Sequence, residues 1–317
     1  MIGMLAVKIK VKTPFAEVLR ISYTLRMRRF HGFSVSPVLF GLLSFLLVSC
    51  FPQREVHLSE FAGEDIIIVG NFERERSDRD REFSERLSAV MRNAELPEEL
   101  YVSLLEVSAW NPAFMWDLYA ILEGPRYLRV LVDKQNALPY GYSPPDLVEL
   151  VDGAYRVSRA GLMLRYSAAM SLAEMAEAAR AEGVTLVASS AYRSYQHQTQ
   201  VHNRLVQQMG RAAAERVSAR PGHSQHQTGL ALDFGDITNA FARTPAGRWM
   251  EANATRFGWS LSYPYGYEHV TGYSWESWHF RYLGRELAAF KDKYFGGIQQ
   301  FALRFLHEWE LLDQRPY

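Results

Sequence analysis

Apolar side chains recur every three or four positions over residues 158–181. This period is that of one buried face of an α-helix, and Gly183 follows as a typical stop signal. We therefore predict a long helix here, with a core-facing set made of Leu164, Ala168, Leu172, Met175 and Ala179.

Short apolar runs and helical signals alternate along the rest of the chain. Residues 83–123 predict a small helical lead-in. Ser194 is a suitable N-cap for a helix running to about Met209, and Thr244–Pro245 begins a helix that ends at Gly258. Strands are predicted at 127–133, 184–188, 230–234, 259–263 and 278–282. Because no regular βαβ alternation results, the pattern favours an α+β fold, with a small antiparallel sheet flanked by helices.

Residues 230–234 alternate between bulky side chains and small or polar ones. In a strand, Leu230, Leu232 and Phe234 would share the core face. Ala231 and Asp233 would share the opposite face. Asp233 is therefore expected to point away from the core, where a small neighbour leaves room.

The first 50 residues are basic and lead into an apolar run from Val38 to Val48. This run is too short to span a bilayer but suits the centre of a secretory signal. The following "LVSC" resembles a bacterial lipobox, which implies lipidation of Cys50, the single cysteine of the chain. We expect an exported lipoprotein that is anchored to the membrane and faces the periplasm or cell wall. A buried thiol is the alternative for Cys50, and Met1 and Met27 are both candidate starts.

The formal charge of the whole chain is zero, but beyond the basic start acidic residues outnumber basic ones. This balance argues against a nucleic-acid partner, since phosphate binding needs a concentrated basic face. The mixed-charge run at 71–86 predicts a solvated linker or an exposed helix. We expect a monomer.

Two separate segments carry the chemistry of metal ligands. The first contains His226 and Asp233, a nitrogen and an oxygen donor that both suit zinc. Gly229 lies between them and lacks bulk, so we expect the backbone to fold close to an ion there. The second segment contains Glu276 and His279.

Two histidines and one aspartate leave a fourth zinc position for water, which is typical of a catalytic site. Zinc would lower the pKa of that water to about 7, and Glu276, three residues before His279, is placed to take its proton. His223 is a rival ligand that we rank lower because it follows Pro-Gly. The histidines expected to face solvent are His197, His202 and His269.

Four segments carry a family resemblance: "SSAYRSYQHQ" (189–198), "RPGHSQHQTGLALDFG" (220–235), "GWSLSYP" (258–264) and "TGYSWESWHFRYLG" (271–284). They resemble the VanY-type D-alanyl-D-alanine carboxypeptidases, which are zinc peptidases of bacterial cell-wall peptides. The similarity runs from about Leu131 to about Gly284, with the four motifs in family order and spacing.

The resemblance implies that His226, Asp233 and His279 are zinc ligands. It further implies that Glu276 is the catalytic base. One departure is Gln225, where the family commonly has glutamate; that position is not a ligand.

The resemblance also implies roles in substrate binding. Arg193 is expected to stabilise the peptide carbonyl oxygen or bind the substrate, while Gln198 and Ser224 help to hold its C-terminal end. A substrate with a free carboxylate needs such a cationic pocket with several donors, and a guanidinium also stabilises the charge that develops during peptide hydrolysis.

Four parts are therefore expected: an export segment (1–50), a linker with the helical lead-in (51–126), a zinc carboxypeptidase domain with the zinc in a central cleft (127–284) and a C-terminal helical segment (285–317). The expected activity is removal of the terminal D-alanine from peptidoglycan stem peptides. The alternatives are an L,D-carboxypeptidase acting on tetrapeptide stems and a non-catalytic wall-binding lipoprotein of the same fold. The presence of a base, an arginine and three ligands argues against the binder.

Overall fold

The structure is a computed structural model that describes the backbone of residues 6–8, 22–24, 68–110 and 112–313, and the side chains of 81–108 and 113–312. Cys50 and the apolar run before it lie outside these residues. The chain divides into two units, Met1–Arg74 and Glu75–Tyr317. In the first unit, strands β1 (Ala6–Lys8) and β2 (Ser22–Thr24) pair antiparallel.

Three helices precede the sheet: α1 (Ile68–Asn93), α2 (Glu98–Trp110) and α3 (Pro112–Glu123). The mixed-charge run at 71–86 lies within α1, so of the two predicted states it adopts the helical one. Among the helices that the structure describes, none has the length and apolar character needed to cross a bilayer.

The second unit continues with fourteen short strands and helices: β3 (Leu147–Glu149), β4 (Arg156–Val157), β5 (Met163–Arg165), α4 (Tyr166–Ala181), β6 (Val187–Ser190), α5 (Tyr195–Met209), α6 (Arg211–Val217), β7 (Ala231–Phe234), α7 (Pro245–Asn253), β8 (Trp259–Leu261), α8 (Glu268–Thr271), β9 (His279–Tyr282), α9 (Arg285–Tyr294) and α10 (Gln299–Asp313). The predicted cap of α5 is confirmed, because the Ser194 hydroxyl accepts a hydrogen bond from the His197 amide. The strands predicted around β7, β8 and β9 are also confirmed.

The strand predicted over 127–133 is wrong. A 3-10 turn at Arg126–Leu128 is followed by irregular backbone. The Arg281 guanidinium donates hydrogen bonds to the carbonyls of Leu128 (3.1 Å) and Val130 (2.8 Å). A side chain rather than a neighbouring strand thus satisfies this backbone, which periodicity does not reveal.

The helix predicted over 158–181 begins only at Tyr166. The three residues before it form β5, which pairs antiparallel with β3. Leu164 is buried as predicted, but on a strand. The strand ends and the helix begins at Tyr166, whose amide donates a hydrogen bond to the Asp146 carbonyl, 2.9 Å away.

The main sheet has five strands in the order β4-β6-β7-β9-β8. Only β4 and β6 run parallel, and the other three pairings are antiparallel. Strands β3 and β5 form a separate antiparallel pair. With helices packed around these short strands, the predicted α+β class is confirmed.

The register of the sheet separates an apolar face from a polar one. Leu232, Phe234 and Phe280 belong to the core that the sheet forms with α4. On the opposite face Asp233 pairs with Ser190 on one side and with His279 on the other. Cross-strand partners share a face, so the sheet itself brings these polar groups together.

A second apolar core joins the N-terminal and C-terminal helices of the second unit. Phe114 of α3 packs edge-on against Phe305 of α10, with ring centroids 6.2 Å apart, and residues of α1, α2 and α9 complete the cluster. The segment after residue 285 therefore packs on the same unit as the sheet. The boundaries of the four predicted parts stay predictions.

Candidate metal centre and active site

Three predicted ligands converge on the polar face of the sheet. The Nε2 atom of His226 lies 3.2 Å from Oδ2 of Asp233, and Nδ1 of His279 lies 3.0 Å from Oδ1 of Asp233. One ligand atom from each of the three residues lies within 4.8 Å of the others. All three side chains are buried.

His226 is held by the short 3-10 turn at Gln225–Thr228. Its Nδ1 atom lies 2.8 Å from the carbonyl oxygen of Ala191, and a carbonyl only accepts hydrogen bonds. Nδ1 therefore carries the proton, and the lone pair of Nε2 faces Asp233.

His279 is oriented in the same manner by a different acceptor. Its Nε2 atom lies 3.3 Å from the side-chain oxygen of Gln225. With this oxygen as the acceptor, the proton lies on Nε2 and the lone pair of Nδ1 faces Asp233. The Oδ1 atom of Asp233 accordingly has no hydrogen-bond donor among the described residues, although it is buried.

The charges of His226 and Asp233 follow from their surroundings. Burial, the largest influence, lowers the pKa of His226 to about 4, so its imidazole is neutral near pH 7. Burial raises the pKa of Asp233, but the two adjacent imidazoles outweigh this effect and hold that pKa well below its usual value, so the carboxylate stays charged. Two lone pairs and a carboxylate facing one point fit a cation, and this donor set suits zinc.

Glu276 lies beside the ligands, with Oε2 3.6 Å from Nδ1 of His279. The side-chain oxygen of Asn239 accepts from the Ser277 amide at 3.0 Å, and its side-chain nitrogen donates to the Trp275 carbonyl at 3.0 Å. Asn239 thereby clamps the loop that carries Glu276. Burial raises the pKa of Glu276 to about 7, which suits a group that exchanges protons near neutral pH.

Arg193 approaches the cluster from the loop after β6. Its Nη2 atom lies 3.7 Å from Oδ2 of Asp233, while Nη1 donates to the side-chain oxygen of Gln198 at 3.0 Å. Gln198 is completely buried and donates from Nε2 to the Ala219 carbonyl at 2.7 Å. The structure thus places Gln198 behind Arg193, as its support. Ser224 is buried at the N-cap of the 3-10 turn.

The expectations for Gly229 and His202 are wrong, and the lower rank given to His223 agrees with its contacts. The missing side chain of Gly229 makes room for Arg165 and Leu147 rather than for an ion, because an added Cβ would lie 3.0 Å from each. His202 is buried and does not face solvent. His223 is directed away from the ligands, with Nδ1 2.7 Å from the Asp133 carbonyl.

Sequence reasoning did not identify Asn239 or Ser262 as parts of the site, and it gave Gln225 no role. The contacts of these residues depend on chain segments that meet only after folding. The one available signal was at Gln225, where the chain departs from the glutamate common in the resembling family.

The chain is similar in sequence to known proteins. The VanY family, described as D-alanyl-D-alanine carboxypeptidase, matches residues 161–285. The protein YodJ of Bacillus subtilis (strain 168), named as an inferred carboxypeptidase, is 37% identical over 58% of this chain and 70% of its own length.

Two solved structures are also similar. One is the LD-carboxypeptidase LdcB, with 36% identity, coverage of 53% of this chain and 85% of that one, and a TM-score of 0.48. The other is a variant of the vancomycin-resistance D,D-pentapeptidase VanY in complex with Zn(II), with 30% identity, coverage of 56% and 99%, and a TM-score of 0.47. The family match, together with the coverage of 70% of YodJ at 37% identity, confirms the resemblance that the four sequence motifs indicated. The chain belongs to the VanY family of D-alanyl-D-alanine carboxypeptidases.

Proposed function

We propose that this protein is a zinc-dependent D,D-carboxypeptidase that removes the terminal D-alanine from peptidoglycan stem peptides. The observation that carries the proposal is the convergence of two imidazole nitrogens on one buried carboxylate, with Glu276 3.6 Å from His279. The family description supports the substrate class.

His226, Asp233 and His279 are the groups that would hold the metal. A bound zinc ion supplies a Lewis acid, which polarises a peptide carbonyl and makes water acidic enough to lose a proton near pH 7. Three protein ligands are the number found in catalytic rather than structural zinc sites.

Glu276 is proposed as the proton carrier. Its raised pKa of about 7 matches a group that takes a proton from water and later gives it to the departing amine. The two hydrogen bonds of Asn239 to the backbone on either side of Glu276 keep its carboxylate beside His279.

Arg193 is proposed to bind the negatively charged oxygen that develops at the scissile carbonyl, or the terminal carboxylate of the stem peptide. Its guanidinium is largely buried but keeps Nε without a hydrogen-bond acceptor among the described residues. A cation in such a water-poor site stabilises developing charge more strongly than one in water. Ser224 is proposed as a further contact for the substrate's C-terminal end, and Gln198 acts through Arg193.

The location and assembly of the protein are further parts of the proposal. Its substrate class lies in the cell wall, which supports export. Lipidation at Cys50 would then hold the protein at the membrane, and it would act as a monomer. Replacing Cys50 with alanine should release the protein from the membrane fraction; unchanged retention would contradict the lipid anchor.

The decisive experiment combines metal analysis with product analysis. We expect about one zinc per chain, and mass spectrometry should show loss of one alanine from a pentapeptide stem. Cleavage of the tetrapeptide stem alone would assign the L,D activity instead. A chain that binds no zinc and leaves both peptides intact would be a binding protein of this fold.

A further inference from the structure

A chain of buried hydrogen bonds runs from a zinc-ligand candidate to the C-terminal helix. Gln225 Oε1 lies 3.3 Å from Nε2 of His279 and accepts a hydrogen bond from the Ser262 hydroxyl at 2.7 Å. The Ser262 oxygen in turn accepts from Nε2 of Gln299 at 3.3 Å. None of the four side chains is more than 3% exposed, so water does not replace these contacts.

The amide orientations of Gln225 and Gln299 in the structure set the direction of this chain. Because Gln299 donates to the Ser262 oxygen, the Ser262 hydroxyl hydrogen is free to point at Gln225. The Gln225 oxygen then receives two donors, Ser262 and Nε2 of His279. The arrangement leaves Nδ1 of His279 unprotonated and facing Asp233, as a metal ligand requires.

The far end of the chain lies in helix α10, beyond the residues 161–285 that match the family. Gln299 sits at the first residue of α10, and the helix is fixed by its apolar face in the second core. The position of Gln299 is therefore set by packing that is independent of the sheet.

We propose that Gln225, Ser262 and Gln299 are positioning residues that fix His279 as the Nε2–H tautomer. Through them, the C-terminal helix sets the strength of metal binding. This proposal rests on the proposed zinc site. Partners that hold the second nitrogen of a ligating imidazole orient the ring and raise its basicity, and their loss typically costs 10- to 100-fold in metal affinity.

Exchanging the side-chain oxygen and nitrogen positions of both Gln225 and Gln299 would reverse the direction of these hydrogen bonds. Ser262 would donate to Gln299 Oε1, which has no donor among the described residues, and the amide nitrogen of Gln225 would face Nε2 of His279. The proton of His279 would then sit on Nδ1, against Asp233, where it would block a metal. The two directions thus differ in one measurable property, the tautomer of His279.

The first test reads that tautomer in the metal-free full chain by nitrogen–proton correlation spectra of ¹⁵N-histidine protein, with His279 assigned by its absence in His279→Ala. We expect Nε2–H in the wild type and a loss of this preference in Gln225→Met, while Gln225→Glu keeps it because the acceptor remains. An Nδ1–H tautomer in the wild type would overturn the proposal.

The second test measures zinc affinity by competition with a chromophoric chelator. Gln299→Met should weaken zinc binding by roughly tenfold. The matched control is Gln300→Met, since Gln300 is equally buried on the same helix but donates to Asp133, at 2.7 Å. Gln300→Met loses a hydrogen bond to a buried carboxylate and should destabilise the fold at least as much as Gln299→Met. Equal zinc affinities in the two variants would overturn the role of α10.

The two tests also separate this proposal from the proposed function. A wild-type chain that binds no zinc contradicts the metal site and the metal part of this proposal. The tautomer measurement still decides whether Gln225 orients His279.

Discussion

His279 Nδ1 lies 3.0 Å from Oδ1 of Asp233, its direct partner in the register of two neighbouring antiparallel strands. The two residues are far apart in the sequence, so their distance is set by the pairing of β7 with β9. A shift of one residue would turn one of them to the apolar face of the sheet. The stability of the sheet therefore also maintains the geometry of the candidate metal site.

Replacing Asp233 with asparagine should remove zinc binding. The substitution keeps the shape of the side chain but deletes the only carboxylate of the ligand set. We expect affinity for zinc to fall by at least about two orders of magnitude, since a ligand contributes more than the outer partners whose loss costs 10- to 100-fold. Competition with a chelator measures this, with the exposed Asp236→Asn as control. Similar affinities in both variants would place the metal elsewhere.

Replacing Glu276 with glutamine should leave zinc bound and abolish most hydrolysis. An amide cannot accept a proton as a carboxylate does, so kcat should fall by about 10²- to 10⁴-fold. The assay is release of D-alanine from a pentapeptide stem, with the zinc content of the same sample determined in parallel. Turnover within a few fold of the wild type would show that another group carries the proton.

The local pattern of the sequence was enough to predict the strands and faces around Asp233, because alternation of bulky and small residues determines a strand's orientation. It was not enough at 127–133, because the side chain of Arg281, on strand β9, satisfies backbone carbonyls of this apolar segment. The role of Asn239 could not be predicted for the same reason. Its contacts join distant segments, and such contacts leave no periodic signal in a single sequence.

Replacing Gly229 with alanine should destabilise the protein more than replacing Gly161. Both glycines have a φ near +75° (+71° and +79°), where an added Cβ costs about 1 kcal/mol. At Gly229 the Cβ would also lie 3.0 Å from Arg165 and Leu147, whereas at Gly161 it meets nothing within 4 Å. Urea unfolding of both variants measures the difference. Equal losses in the free energy of unfolding would mean that Arg165 and Leu147 move aside without cost.

Zinc should raise the thermal stability of the wild type. A ligand that binds only the folded state adds about 2.7 kcal/mol at a free concentration 100 times its Kd. A chelator should accordingly lower the Tm, and added zinc should restore it. The Asp233→Asn variant serves as the control, because its Tm should not respond to zinc. An equal response of both proteins would indicate zinc binding at another place.

Replacing Gln198 tests whether it acts through Arg193 rather than on the substrate. In Gln198→Leu the guanidinium loses the acceptor that holds Nη1 at 3.0 Å, and we expect kcat/KM for the pentapeptide stem to fall about tenfold through misplacement of that cation. Gln198→Glu keeps an acceptor for Arg193 and should recover much of the loss, although its carboxylate cannot donate to Ala219. In the background of Arg193→Met the Gln198→Leu change should have little further effect, since residues that act as one unit are not additive. Independent, multiplicative losses would instead mean that Gln198 contributes to the reaction by a route that does not pass through Arg193.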